Sequence, residues 1–442
     1  MAGVAALSAI GCRGPESTTP SAAPPSAAAT AAAAADDQTL EASNLRLLSW
    51  SNLNGRGAMG EGIAIQKLGN RRIAYLANES GATGMSVVDV TDPKNPGILV
   101  QVPAENNAVR FNSLSMSGNI LAVARQTQSA GQTPAGLTIY DASQPENLKR
   151  LAHFNASGPF SRGCHFVWFV DGRYAHLSTG MPDFKPTTSN DDQIYVIVDL
   201  KDPEHPVEVG RWWLPGQKDG EKPLARHPQF DTGHRLHNVN VLPSKPDRAY
   251  TGWIDSGAAI LDISDLQKPK MVSQWNPHPP GPGFTHTAVP HLARNLMVVS
   301  DEAVQDDCKD AHKRIWVLDI SKETSPVLLS TAPIPDPEVY CKRGGRFGAH
   351  NQHENHAQPT AKELHNTVVG SFFNGGVRIY DISKPAAPQE IAFFVPKTPV
   401  GSSVKSSQIN DVFVDETGVI YAIERFAGGL YILEYTGKTP LT

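Results

Sequence analysis

An all-β fold is what this sequence predicts: a seven-bladed β-propeller whose last blade is completed by a strand from near the N-terminus. Three observations carry that expectation. One short motif occurs seven times at intervals of 52 to 63 residues. The stretch between returns has room for four short strands. The first and last apolar stretches each lack a partner that the other could supply. A period of this size with all-strand contents is the signature of propeller repeats.

The motif is MSVVDVTDPKNP, residues 85–96, and it reappears from Leu137, Ile194, Ala258, Ile315, Val377 and Leu430. Its pivotal acid falls at Asp89, Asp141, Asp199, Asp262, Asp319, Asp381 and finally Glu434. Each copy is a short Val/Ile-rich run, as expected of a strand covered on both faces, and stops at an Asp-x-Ser/Thr or Asp-Pro turn. About ten residues upstream lies a second strand, starting near Arg72, Tyr174, Arg248, Asn295, Thr367 and Val419. A third precedes it across turns such as Asp171-Gly172, and a fourth follows the motif, as in PGILVQV from Pro96.

These copies resemble LVIVD repeats, a propeller-forming family, over residues 45–435. The resemblance implies fold and says little about function. The seventh copy has no fourth strand after Tyr435, while LRLLSW at 45–50 has no motif before it. Pairing the two would close the ring and leave no open edge. The propeller is therefore expected to span 45–436 as one domain. A chain of 442 residues with 37 Gly and 35 Pro suits such a turn-rich ring. A net charge of −5 without a basic run argues against nucleic acid as a partner.

The first residues speak to location. MAGVAALSAIGC resembles the end of a bacterial lipoprotein signal, which would make residues 1–12 a truncated signal and Cys12 the lipidation site. It is shorter than a full signal and has no positive n-region. Residues 13–44, largely Ala, Ser, Thr and Pro, read as a disordered tether. The protein is thus expected to be exported, periplasmic or on the cell surface, touching the membrane only through a lipid anchor and acting as a monomer. Cys308 and Cys341 fall in two links that should emerge on one face, so they could form a disulfide, which fits an oxidising compartment. Cys164, on an inner strand, should be buried and unpaired.

The chemistry is expected where the first strand of each repeat begins. Aligning the repeats brings GCHFVW, RLHNVNV, FTHTAVP and GAHNQHEN together, placing His165, His237, His286 and His350 at one register in four consecutive blades. The first strand of a blade lines the central channel, so these positions should converge near the axis. The other blades offer Phe111, Asn410 and an apolar start around Gly62. Converging imidazoles suit a transition metal, Fe or Cu, less well Zn. Each ring needs its other nitrogen held. Glu302, Asp255 and Glu354, with Glu79 and Glu424, are the candidates for that. His353 is an odd number of residues from His350 and should point away.

Long loops on the same face, residues 212–234, 275–285 and 331–349, carry Trp212, Trp213, Phe230, Phe284, Tyr340 and Phe347 and could supply an apolar pocket or only cover the hub. Two functional readings follow. The first is a metal-dependent oxidoreductase acting on a small, partly apolar substrate at a four-histidine site; that site resembles the carotenoid-cleaving oxygenases at the metal only. With zinc the variant is a hydrolase. The second is a non-catalytic surface propeller that binds a protein or glycan, its metal structural or absent.

Overall fold

The computed structural model describes residues 38–228 and 231–442, and their strands form seven four-stranded antiparallel sheets. Residues 59–103, 109–155, 164–212, 239–275 and 285–331 make blades 1 to 5, each running from the channel outward in chain order. Inner strands pack on one another from blade 1 through blade 5, and that of blade 7 packs on the strand Thr367–Ser371 of blade 6 and on the inner strand of blade 1.

The repeated motif is the third strand of every blade, and its acid is the strand's last or penultimate residue. In six copies the aspartate Oδ1 accepts the backbone N–H two residues on, at 2.7–2.9 Å, which turns the chain toward the fourth strand. The seventh copy needs no such turn and carries Glu434, ion-paired with Arg46. Burial on both faces explains the unbroken apolar run: Val196, Ile197 and Val198 are all fully buried between neighbouring blades. A period-2 pattern would place polar side chains in one of those contacts.

Closure is as the sequence predicts. Strand Leu45–Ser51 is the outer strand of blade 7, paired antiparallel from Leu45 opposite Tyr435 to Ser51 opposite Leu430. The tether boundary at 44 needs correction, because Thr39–Ser43 is itself a strand. It lies outside Gln389–Pro396 as the outermost strand of blade 6. Strand addition at an edge satisfies backbone groups and asks little of side chains, so a composition poor in large apolar residues did not reveal it. Glu41 fastens it, accepting from the Tyr340 hydroxyl at 2.9 Å and pairing with Arg343. Blade 6 has only a rudimentary inner strand, a bridge from Gln352 to Gly370. Cys12, the signal-like stretch 1–12 and Phe230 lie outside the described residues.

Cys308 and Cys341 are bonded, with 5.6 Å between Cα atoms, joining the loop within blade 5 to the loop entering blade 6. Cys164 is buried and free. Both arrangements match expectation.

Candidate metal centre

Inner strands aim their first side chains at the axis through a local irregularity. In blades 1, 2, 3, 5 and 7 the pairing register slips around Glu61, Asn112, His165, His286 and Asn410. A bulge of this kind redirects a side chain out of the regular alternation. His237 and His350 stand just before regular pairing, each giving its backbone N–H to the second strand, at Gly252 and Ser371. Seven blades thus present Glu61, Asn112, His165, His237, His286, His350 and Asn410.

Two of the seven differ from expectation. In blade 1 the position belongs to Glu61, not to an apolar start at Gly62. In blade 2 it belongs to Asn112, while Phe111 lies under the Arg125 guanidinium, 3.4 Å from its carbon. The signal for Glu61 was present: Glu61-x-Ile63 aligns with His165-x-Val167, His237-x-Val239 and His286-x-Ala288. Gly62 serves a different purpose, since a Cβ there would stand 2.5 Å from the Leu114 backbone nitrogen of blade 2.

The four histidines do converge. Their rings pack in sequence around the axis, with centroids 4.3, 3.8 and 4.4 Å apart from His165 to His350. Nε2 of His165 and Nε2 of His237 face each other at 3.0 Å. Glu61 spans the ring: Oε2 is 3.7 Å from His165 Nε2 and 3.6 Å from His286 Nε2, and Oε1 is 3.6 Å from His350 Nε2. Glu302 joins it, 3.7 Å from Nε2 of both His237 and His350. The sets Glu61/His286/His350, Glu61/His165/His237 and His237/His286/Glu302 each keep their donor atoms within 4.8 Å.

Tautomers follow from what lies behind the rings. His350 Nδ1 donates to the Asn410 carbonyl at 2.6 Å. His165 Nδ1 meets Gln126 Oε1 at 2.9 Å, an oxygen identified by the Arg110 Nε that also donates to it. His237 Nδ1 meets Asn238 Oδ1 at 2.9 Å, and the Asn238 amide nitrogen donates to Glu354. His286 Nδ1 lies 2.6 Å from the Thr287 hydroxyl. With protons on the outer nitrogens, the inner nitrogens carry lone pairs. Burial opposes any further proton: it lowers the pKa of His165 well below the ordinary value, that of His237 to about 3, and that of His286.

Burial raises the pKa of the two carboxyl groups, and their neighbours lower it more. Glu302 falls to about 2 through His350 and Arg346, and Glu61 lies well below the usual range through His286 and His350. An imidazole exerts that pull only while its inner nitrogen carries a proton, so that without a cation Glu61 and the rings compete for one proton. Arg346 reaches Glu302 at 2.8 Å. Glu61 Oε2, His286 Nε2 and His350 Nε2 are buried with no hydrogen-bond partner. Opposed lone pairs, a buried anion and orphaned donors are what a divalent cation would satisfy. Four imidazole nitrogens with two carboxylates make a mixed N/O set suited to Fe(II) or Cu(II). A tetrahedral zinc site would leave two of the six donors over.

The acids expected to hold the outer ring nitrogens have other places. Glu302 faces the inner nitrogens directly. Asp255 organises loops, accepting from the Thr232 backbone and hydroxyl and from Phe284 N–H. Glu354 acts one step removed, through Asn238 and Asn240. Glu424 caps four backbone N–H groups, of Gln408, Phe426, Ala427 and Gly428. Glu79 comes nearest to the expected part: its Oε1 accepts from Arg110 and Arg425, which hold Gln126 and Asn410 behind His165 and His350. Neutral amides, a hydroxyl and a carbonyl do the immediate holding. His353 does point away, bonded to Lys362 and Val414.

The aromatic loop residues cover blades more than they line the site. Trp212 packs on Trp253, Trp213 on Phe184, and Tyr340 stacks on Phe347. Phe284 touches the ring, 5.7 Å from His237, and Phe373, singled out by nothing in the sequence, stacks on His350 at 4.6 Å.

No family model matches this chain, and no curated protein does. Solved propellers match it in fold. The β-propeller domain of Cps50 (Swd1) from Myceliophteria thermophila superposes with TM-score 0.52 at 12% identity, covering 85% of this chain and 97% of that one. Raptor from Chaetomium thermophilum gives 0.54 at 10%, covering 86% and 28%. The RRP9 WD40 repeats give 0.55 at 10%, covering 88% and 96%. At such identities the likeness concerns architecture alone.

Proposed function

We propose that this propeller binds a transition-metal ion, Fe or Cu, in the ring of His165, His237, His286, His350, Glu61 and Glu302, and that it is a metal-dependent oxidoreductase. The observation that carries the reading is the 3.0 Å approach of two Nε2 atoms whose Nδ1 partners are both hydrogen-bond acceptors. Two lone pairs at that distance repel unless a cation lies between them or one ring takes a second proton, and burial opposes the proton. Such an ion supplies one-electron redox chemistry that no side chain in the ring offers by itself. The residues' own part is to hold six donors ready, keep His165, His237 and His286 neutral and exclude bulk water. His237, His286 and His350 keep at most 3% of their side-chain surface, whereas His165 keeps 12%, so a substrate would approach over His165.

The repeats support an LVIVD-type assignment, and Cys12 a lipid anchor on an exported protein; the Cys308–Cys341 bond is compatible with that compartment. Elemental analysis of protein purified without chelators tests the central point. About one equivalent of Fe or Cu in wild type, and loss of it in His237→Ala with the fold intact, is the expected result. Protein that takes up neither metal would overturn the reading in favour of a binding propeller.

A further inference from the structure

The approach to the ring is cationic. Arg110, Arg162, Arg235, Arg346 and Arg425 come from five different blades or the loops that enter them, and four of them show 15–27% side-chain exposure. Their compensation is uneven. Arg110 and Arg425 share one carboxylate, Glu79, and together line a cleft of about 300 Å³. Arg162 has Asp192, and Arg346 has Glu302 of the ring itself.

Arg235 has no carboxylate within ion-pair distance among the described residues. Its Nη1 donates to two backbone carbonyls, of Thr232 at 2.7 Å and Asn190 at 3.1 Å, which fix the guanidinium without neutralising it. The guanidinium carbon is 6.0 Å from the centre of the Phe284 ring, the same ring that packs against His237. A fixed, half-buried and unmatched guanidinium beside an apolar surface, next to a reaction centre, is an anion site with a non-polar floor.

We propose that the mouth selects small organic carboxylates, with Arg235 binding the carboxylate and Phe284 carrying the apolar body beside the ring. This deepens the metal reading and rests on it for the reaction, but not for the binding. Geometry favours a carboxylate because one planar guanidinium edge suits two coplanar oxygens. A cationic substrate would have to pass five guanidiniums.

The probe is benzoate, titrated calorimetrically into metal-loaded and metal-free wild type, with benzamide as its neutral isostere and inorganic phosphate as the other anion. Benzoate should bind at least tenfold more tightly than either, and Arg235→Gln should weaken it by roughly 10- to 100-fold, the loss expected for a charged hydrogen bond. Metal content of the variant should stay at the wild-type level. Benzamide or phosphate binding as tightly as benzoate, or R235Q within twofold of wild type, would overturn the proposal. Should R235Q fail to fold, the benzoate-to-benzamide ratio on wild type decides alone. Metal uptake without benzoate preference sinks this inference and leaves the metal reading; benzoate held through Arg235 by a protein that takes up no metal does the reverse.

Discussion

Two layers of the central channel shift buried carboxyl groups in opposite directions. In the ring, Glu61 and Glu302 are 5% exposed and held below their usual values; just beneath, Glu354 is 8% exposed and burial pushes its pKa up to about 7, with Asp411 pushed well above its usual value. Depth is nearly the same, so burial does not decide. Neighbours do: the ring acids face several imidazoles and Arg346, while Glu354 has the amides of Asn238 and Asn240 and one imidazole, His356, at 3.9 Å. A pocket of about 10 Å³, roughly one water, joins the layers, with Glu61, Glu354 and Asp411 on its wall. One layer therefore favours the carboxylate form and the other the protonated acid.

Substitutions that treat the layers alike should show the largest difference. Glu61→Gln removes an anion from the ring and should lower metal affinity by at least about 100-fold. Glu354→Gln replaces an acid whose pKa is raised to about 7 by a near-isostere of its protonated form and should cost less than about tenfold. Competition titration with a chromophoric chelator measures both; equal losses would erase the distinction between layers.

Supports behind the ring come next. Gln126→Leu frees the His165 tautomer and should weaken metal binding by roughly 10- to 100-fold, the range for outer partners of metal-bound imidazoles. Dialysis followed by elemental analysis gives the number.

Acid sharpens the comparison further. Because His237 binds a proton only near pH 3 in the folded state, protons compete poorly for the ring. Metal should remain bound from pH 7 to about pH 4, where ordinary imidazoles with a pKa near 6.5 would already release it. Release near pH 6 would contradict neutral, buried rings.

The smallest effect concerns stability and separates the layers by sign. Glu354 has a folded pKa of about 7, above the ordinary glutamate value of 4.5, so its contribution is present below about pH 4.5 and is lost as pH rises through 7. Buried histidines with lowered values, such as His176 and His353 at about 4, behave oppositely, their contribution being lost as pH falls from about 6.5 through 4. In Glu354→Gln the first trend disappears. Thermal melts at pH 5 and pH 7 should then show a larger gain toward pH 7 than in wild type, by a few degrees.

Much of this was legible from residues alone because repetition is a one-dimensional property. Seven acids at a steady interval, six of them closing an Asx turn, determined the blade count and the strand order within each blade. The unmatched runs at 45–50 and 430–435 determined the closure, and one alignment determined which four histidines meet. Tertiary structure decided the rest. Glu61 stood at the aligned register in Glu61-x-Ile63, but that it and Glu302 reach one point from different blades was decided by the closed ring, because no local pattern encodes an across-the-axis distance. Gln126 and Asn238 were hidden, since an amide that orders a histidine looks like any polar strand residue until its partner's position is known, and the Asn410 backbone carbonyl that orders His350 leaves no mark in the side-chain sequence. The strand at 39–43 escaped for a related reason: it is held mainly by backbone hydrogen bonds to a blade whose residues lie some 350 positions away.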